Sequence, residues 1–199
     1  MPSLLRKASP TITDMIRFDH SHTLLTYHQY TKDKMAMTRR ALAETICSAL
    51  EIHATLEEEI FYPALHRIVH NESVLEKSEP EHDAMRALIA DIRVTDPASP
   101  VHAELVHRLM RDVIHHVADE ESVLLKIAEE RMTKADLKEL GANMTKRRLE
   151  LLAPQAGKIA VNTIVGFSGS TAAKAVGAVA AIGALGFFVQ KKSSLKSAQ

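Results

Sequence analysis

Two short patterns in this chain place a histidine four positions ahead of a glutamate: His53 and Glu57 in "EIHATLEEEIFYPAL", and His116 and Glu120 in "HHVADEES". Residues four apart on a helix share a face. The stripe holding the first pair reads Ile46, Leu50, His53, Glu57, Ile60, Ala64, with steps of 4, 3, 4, 3 and 4. That is the spacing of residues facing a helical core. The second pair lies on Leu109, Val113, His116, Glu120, Val123, Ile127. Two further stripes hold one histidine each: Ile12, Ile16, His20, Thr23, Tyr27, and Leu75, Ser78, His82, Met85, Ile89, Ile92. A single His is thus followed by a His-x-x-x-Glu after 33 or 34 residues, His20 to His53 and His82 to His116. The pattern is a duplicated helical hairpin with polar groups at matching core positions.

Burial makes the chemical case. An ionised carboxylate in an apolar core costs several kcal/mol unless it is paired or bound to a metal. Four imidazoles and two carboxylates converging in one core therefore need compensation, and two metal ions would supply it. A carboxylate can bridge two ions, whereas each imidazole offers one nitrogen to one ion. His20, His53, His82, His116, Glu57 and Glu120 form a balanced set for a dinuclear site, with two His terminal on each ion and both Glu bridging. Mixed imidazole and carboxylate ligation suits iron or manganese, and the lack of thiolates argues against structural zinc. The neighbouring polar residues read differently. His66 and His70 follow Pro63 near a helix end and are expected on the surface, and His115 points about 100° away from His116. His22 continues the first stripe less well than His20. Glu58, Glu59 and Glu121 are expected to be solvated or to support the ligands from outside, and Cys47 to be a small packing residue.

The elements that must position this set are long helices. Apolar periodicity predicts an all-α chain with helices over about residues 13–31, 38–70 (bent near Pro63), 73–94 and 101–131. "DPASP" separates the third from the fourth. Short connections favour an antiparallel up-down four-helix bundle spanning residues 12–132. Thr133 with Asp136 resembles a capping box opening a fifth helix over residues 133–153, ending before Pro154.

The segments "RFDHSH", "EIHATLEEEIFYPAL", "EPEHDAM" and "HHVADEES", in that order, resemble the hemerythrin-like (HHE cation-binding) family. The resemblance implies a four-helix bundle around an oxo- or hydroxo-bridged non-haem di-iron centre. Its ligands would be His20, His53, Glu57, His82, His116 and Glu120, with manganese as the other admissible metal. Oxygen-carrying members have a fifth histidine four residues after the third ligand, where this chain has Arg86. A missing imidazole leaves open positions, which favour binding or reaction with O2, peroxide or nitric oxide. Tyr27 or Tyr30 is a candidate replacement ligand. An iron store or donor, serving repair of iron–sulfur clusters, is the second function the resemblance implies.

Residues 154–199 form an Ala/Gly-rich apolar tail with a basic end, Lys191, Lys192 and Lys196. Its apolar run, "AVGAVAAIGALGFFV", would reach only about 22 Å as a helix, short of a bilayer core of about 30 Å. Membrane association or self-association through residues 159–190 is the expectation, either as a hairpin whose first arm is 159–167 or as a surface-lying helix. Composition bounds the rest. Hydrophobic residues make up 46% and charged residues 25%, with zero formal net charge. That suits a globular domain and argues against a general nucleic-acid binder. The single cysteine rules out an internal disulfide and fits a reducing compartment. "MPSLLRKASP" lacks the apolar run of a secretory signal, so a cytoplasmic location is expected, with the cytoplasmic face of a membrane as a variant. A small diatomic or peroxide ligand is the expected partner, whereas the reductant or client protein is not legible.

Overall fold

The computed structural model describes residues 10–70 and 72–167, and every regular element in them is helical. Helix α1 spans Ile12–His28. Its N-terminus is closed by a capping box in which the Thr11 hydroxyl accepts from the Asp14 amide and Asp14 accepts from the Thr11 amide. Helix α2 is composite: Ala36–Leu56, a π-helical turn Glu57–Phe61, and a short return to α geometry over Tyr62–His66. Helix α3 spans Ser73–Val94. Helix α4 repeats the composite plan, with Pro100–Asp119, a π turn Glu120–Leu124, and Leu125–Arg131. The expected capping box at Thr133 and Asp136 is present and opens α5, Lys134–Leu152.

Packing closes a ring: α1 lies against α2 and the end of α4, and α3 lies against α2 and α4. Helix α5 rests across α1 and α2. Two apolar clusters fill the interior. One contains Ile46, Leu50, Met85, Ile89, Leu109 and Val113, and the other Ile12, Ile16, Leu56, Phe61, Leu75 and Leu124. Along each of the four helices the histidine-bearing turn falls between the residues of these two clusters. The interior is therefore a sandwich of apolar, polar and apolar layers.

The two π turns correct the expected stripes. A π turn inserts one extra residue into a helix, and such turns concentrate at functional sites. The Tyr62 amide reaches back to the Glu57 carbonyl, and the Leu125 amide to that of Glu120. Beyond Glu57 the buried side chains are consequently Phe61, Tyr62 and Leu65 along with the expected Ala64, whereas the expected Ile60 is only half-buried. Beyond Glu120 they are Leu124, Leu125 and Ala128 rather than Val123 and Ile127. Pro63, lacking an amide proton, favours the first break, but the second contains no proline. What the two share is a buried glutamate at the first position.

The start of the tail also departs from expectation. A 3-10 turn, Ala153–Gln155, leads into helix α6, Ala156–Phe167, which lies along α2 instead of leaving as the arm of a hairpin. Phe167 enters the first apolar cluster, and Gly166 lets α6 approach Leu42 closely. Lys158 pairs with Glu44 of α2 at 2.5 Å. Among the described residues no helix is long and apolar enough to cross a membrane. The remainder of the 159–190 expectation, and the basic end, lie outside the described residues.

Candidate metal centre

All six residues singled out from the stripes meet in the polar layer. His20, His53, His82 and His116 are nearly inaccessible, and Glu57 and Glu120 are fully buried. Two overlapping groups of ligand atoms result, each compact enough to hold an ion: His20, His53, Glu57 and Glu120, and Glu57, His82 and His116. Each hairpin contributes its own histidine pair. Glu57 lies between them, with Oε1 3.2 Å from His53 Nε2 and Oε2 3.5 Å from His82 Nε2. Glu120 Oε2 lies 3.3 Å from His20 Nε2 and 3.8 Å from His116 Nε2.

Every one of the four imidazoles turns Nε2 inward and Nδ1 to a carboxylate outside the cluster. His20 Nδ1 meets Glu121 at 2.8 Å, His53 meets Asp19 at 3.4 Å, His82 meets Glu58 at 2.9 Å and His116 meets Glu81 at 2.8 Å. An acid on Nδ1 fixes the tautomer that presents an Nε2 lone pair inward, as in metal-ligating histidines generally. The contacts follow the internal repeat. The acid preceding each single histidine, Asp19 or Glu81, crosses to the second histidine of its own hairpin. The acid following each buried glutamate, Glu58 or Glu121, crosses to the other hairpin. Arg86, at the place where a fifth histidine would stand, holds Glu58 through two contacts of 2.8 and 2.6 Å.

The electrostatics fit a cation. Burial and the adjacent Glu120 push the Glu57 carboxyl well above its ordinary range. Burial acts on Glu120 in the same direction, but His20, His116 and His53 outweigh it and hold that group at about 2. Two carboxylates this close cannot both stay ionised without positive charge. Burial and the neighbouring His116 push His82 down to about 4, which keeps it a neutral donor. His20 Nε2, His53 Nε2, Glu57 Oε1 and Glu120 Oε2 are buried without a hydrogen-bond partner among the described residues. Buried polar atoms are ordinarily satisfied, so these inward-facing atoms fit a site shaped for metal.

Tyr62 is the residue that stripe reasoning missed. Its hydroxyl, with one proton to share, lies 3.1 Å from Glu120 Oε1 and 3.3 Å from Glu57 Oε2, and 3.4 Å from His82 Nε2. The π turn brings it there, five positions after Glu57. Tyr27 and Tyr30 turn elsewhere: the first bonds His107 at 2.6 Å, and the second bonds the buried His102 at 2.9 Å. Neither stands in for the missing imidazole. His66, His70 and His115 are exposed, and Cys47 is buried. On the side away from Tyr62 the histidines border a cavity of ≈ 20 Å³, enough for one water-sized molecule. Leu50, Met85, Ile89 and Val113 form its apolar wall, with Arg86 and Thr23 also lining it.

All-helical structure throughout the described residues, with a buried, doubled His–Glu cluster, defines a class of helical metal-binding proteins. Its family follows from comparison: the hemerythrin HHE cation binding domain matches residues 11–128, and the chain belongs to that family. The chain is also similar to a DNA nickase of Nostoc sp., 28% identical over 118 residues, covering 59% of this chain and 33% of that protein. It thus spans about a third of that relative's length. No solved structure gives a significant match.

Proposed function

We propose that this protein is a dinuclear non-haem iron protein that binds or reacts with O2, peroxide or nitric oxide inside an antiparallel four-helix bundle. The observation that carries the reading is the pair of overlapping ligand groups sharing Glu57, with unsatisfied Nε2 and carboxylate oxygens turned inward. His20, His53 and Glu120 would hold one ion and His82 and His116 the other, with Glu57 available to both. Iron there would supply a redox-active Lewis acid with positions free for a small ligand. The chain's own groups do the rest. The outer acids keep the imidazoles oriented, and the Tyr62 hydroxyl shares its proton between the two carboxylates from the far side. The apolar wall of Leu50, Met85, Ile89 and Val113 admits a small uncharged molecule and disfavours bulk water. Arg86 completes the departure from oxygen carriers by replacing an imidazole with a cation committed to Glu58, which favours reaction over reversible carriage.

Charge balance, with 25 basic and 25 acidic side chains, favours no nucleic-acid partner. Metal analysis and an absorption spectrum of the purified protein test the reading. Two irons per chain with charge-transfer absorption are expected, and a chain that stays metal-free after iron addition refutes it. Glu57→Ala is expected to abolish loading of the second ion while the helices persist by circular dichroism.

A further inference from the structure

Of the four acids that orient the histidines, Glu58 and Glu81 are held by cations of α3 itself: Glu58 by Arg86 and Glu81 by Lys77 at 3.4 Å. Asp19 is held from outside the ring. Arg148 of α5 grips it with both terminal nitrogens, Nη1 to Oδ1 at 2.6 Å and Nη2 to Oδ2 at 2.5 Å. The same Oδ2 faces His53 Nδ1 at 3.4 Å. The Asp19 side chain is 15% exposed and that of Arg148 22%, so the pair lies largely under α5. Arg148 also lies beyond the family-matched segment, which ends at residue 128.

Accepting the dinuclear reading, we propose that Arg148 is a positioning residue for the His20–His53 half of the metal centre, acting through Asp19 on His53. The planar guanidinium fork fixes both oxygens of one carboxylate, which a single ammonium cannot do. Without it, Asp19 is a mostly buried anion with no cation in contact. It then turns away from His53 towards water, and His53 loses the acceptor that aligns its Nε2 with Glu57. The other half does not depend on α5, because its acids are anchored on α3. Helix α5 is therefore part of the metal site and not only a cover.

The neighbouring Arg147 provides the control. It too clamps α5 to α2, with Glu59 at 2.6 and 3.0 Å, but Glu59 is exposed and touches no ligand histidine. The experiment is anaerobic iron titration and Mössbauer spectroscopy on the full-length wild type, Arg148→Met, Arg148→Lys and Arg147→Ala. Arg148→Met should weaken one of the two ions by about ten- to a hundredfold, the usual effect of removing an outer partner. It should shift one quadrupole doublet and leave the other in place. Arg148→Lys, which restores charge but not the fork, should fall between Met and wild type, and Arg147→Ala should load like wild type. If Arg148→Met and Arg147→Ala weaken loading alike, or both doublets move together, Arg148 merely docks the helix and the inference is overturned. Wild-type loading and spectrum in Arg148→Met would overturn it equally. A wild-type chain that takes up no iron overturns the dinuclear reading itself, and this inference with it.

Discussion

At the scale of single residues, chemistry here is decided by burial. The six inward-facing groups were legible because a histidine or glutamate on an apolar stripe must be either compensated or absent. Their supporting acids were less so: Asp19 and Glu81 stand beside ligand histidines in sequence but serve the histidine on another helix. Only the internal repeat, with an acid before each single histidine and another after each buried glutamate, could have revealed that crossing. Tyr62 was hidden for a different reason, since its approach depends on a backbone turn that side-chain types do not signal. Cys47 shows burial acting on a group outside the site. Removal from water, with help from nearby Glu44, pushes its thiol up to about 12. Because the thiolate is the reactive form, the folded protein at pH 8 should react with a chromogenic disulfide reagent far more slowly than the denatured chain. Equal rates would show that the thiol is accessible.

At the scale of elements, the long helices followed directly from apolar periodicity, and the capping boxes fixed where α1 and α5 begin. The π turns did not follow, because their cost is local and their reason is the site. Two contacts place the added helices. Gly141 of α5 passes so close to the start of α1 that a Cβ there would collide with the Pro10 carbonyl. Gly141→Ala gains about 1 kcal/mol of helix propensity but meets rigid backbone, where overpacking typically costs about 1–3 kcal/mol. Denaturant unfolding should therefore show a net loss of stability, and a rise would mean that the helices can separate freely. Helix α6 is tied by Glu44, which accepts from Lys158 and Arg93. Burial raises the Glu44 carboxyl, yet these cations prevail and its pKa lies below the ordinary value. A depressed carboxylate pKa contributes stability above the unfolded value, and this is lost as pH falls through the folded one. Acidification from pH 7 to below 4 should thus lower amide protection in residues 156–167 before it does so in α3. Only the start of the tail is described: small apolar residues suit both lipid and close helix packing, and in α6 Gly166 against Leu42 serves the second.

At the scale of the whole molecule, the polar layer is what the fold has to reconcile. Without a cation, the interior holds two neighbouring carboxylates and two imidazoles, His20 and His53, with unpaired atoms, and each such group costs free energy. An ion that binds only the folded chain stabilises it by mass action, about 4 kcal/mol at a thousandfold excess over its dissociation constant. Thermal unfolding of the iron-loaded protein should occur at a higher temperature than after chelation, and the gap should grow with free iron. An unchanged midpoint would show that the layer is satisfied without metal. The layered interior also has a bearing on how the chain comes apart. Two apolar clusters divided by polar groups are two cooperative units with a weak seam between them. Hydrogen exchange of the chelated protein should then report two opening energies, one for each end of the ring. Iron held by the His and Glu of all four helices would span that seam and should merge the two units into one, so that the ligand set would also act as the weld between halves that otherwise breathe separately.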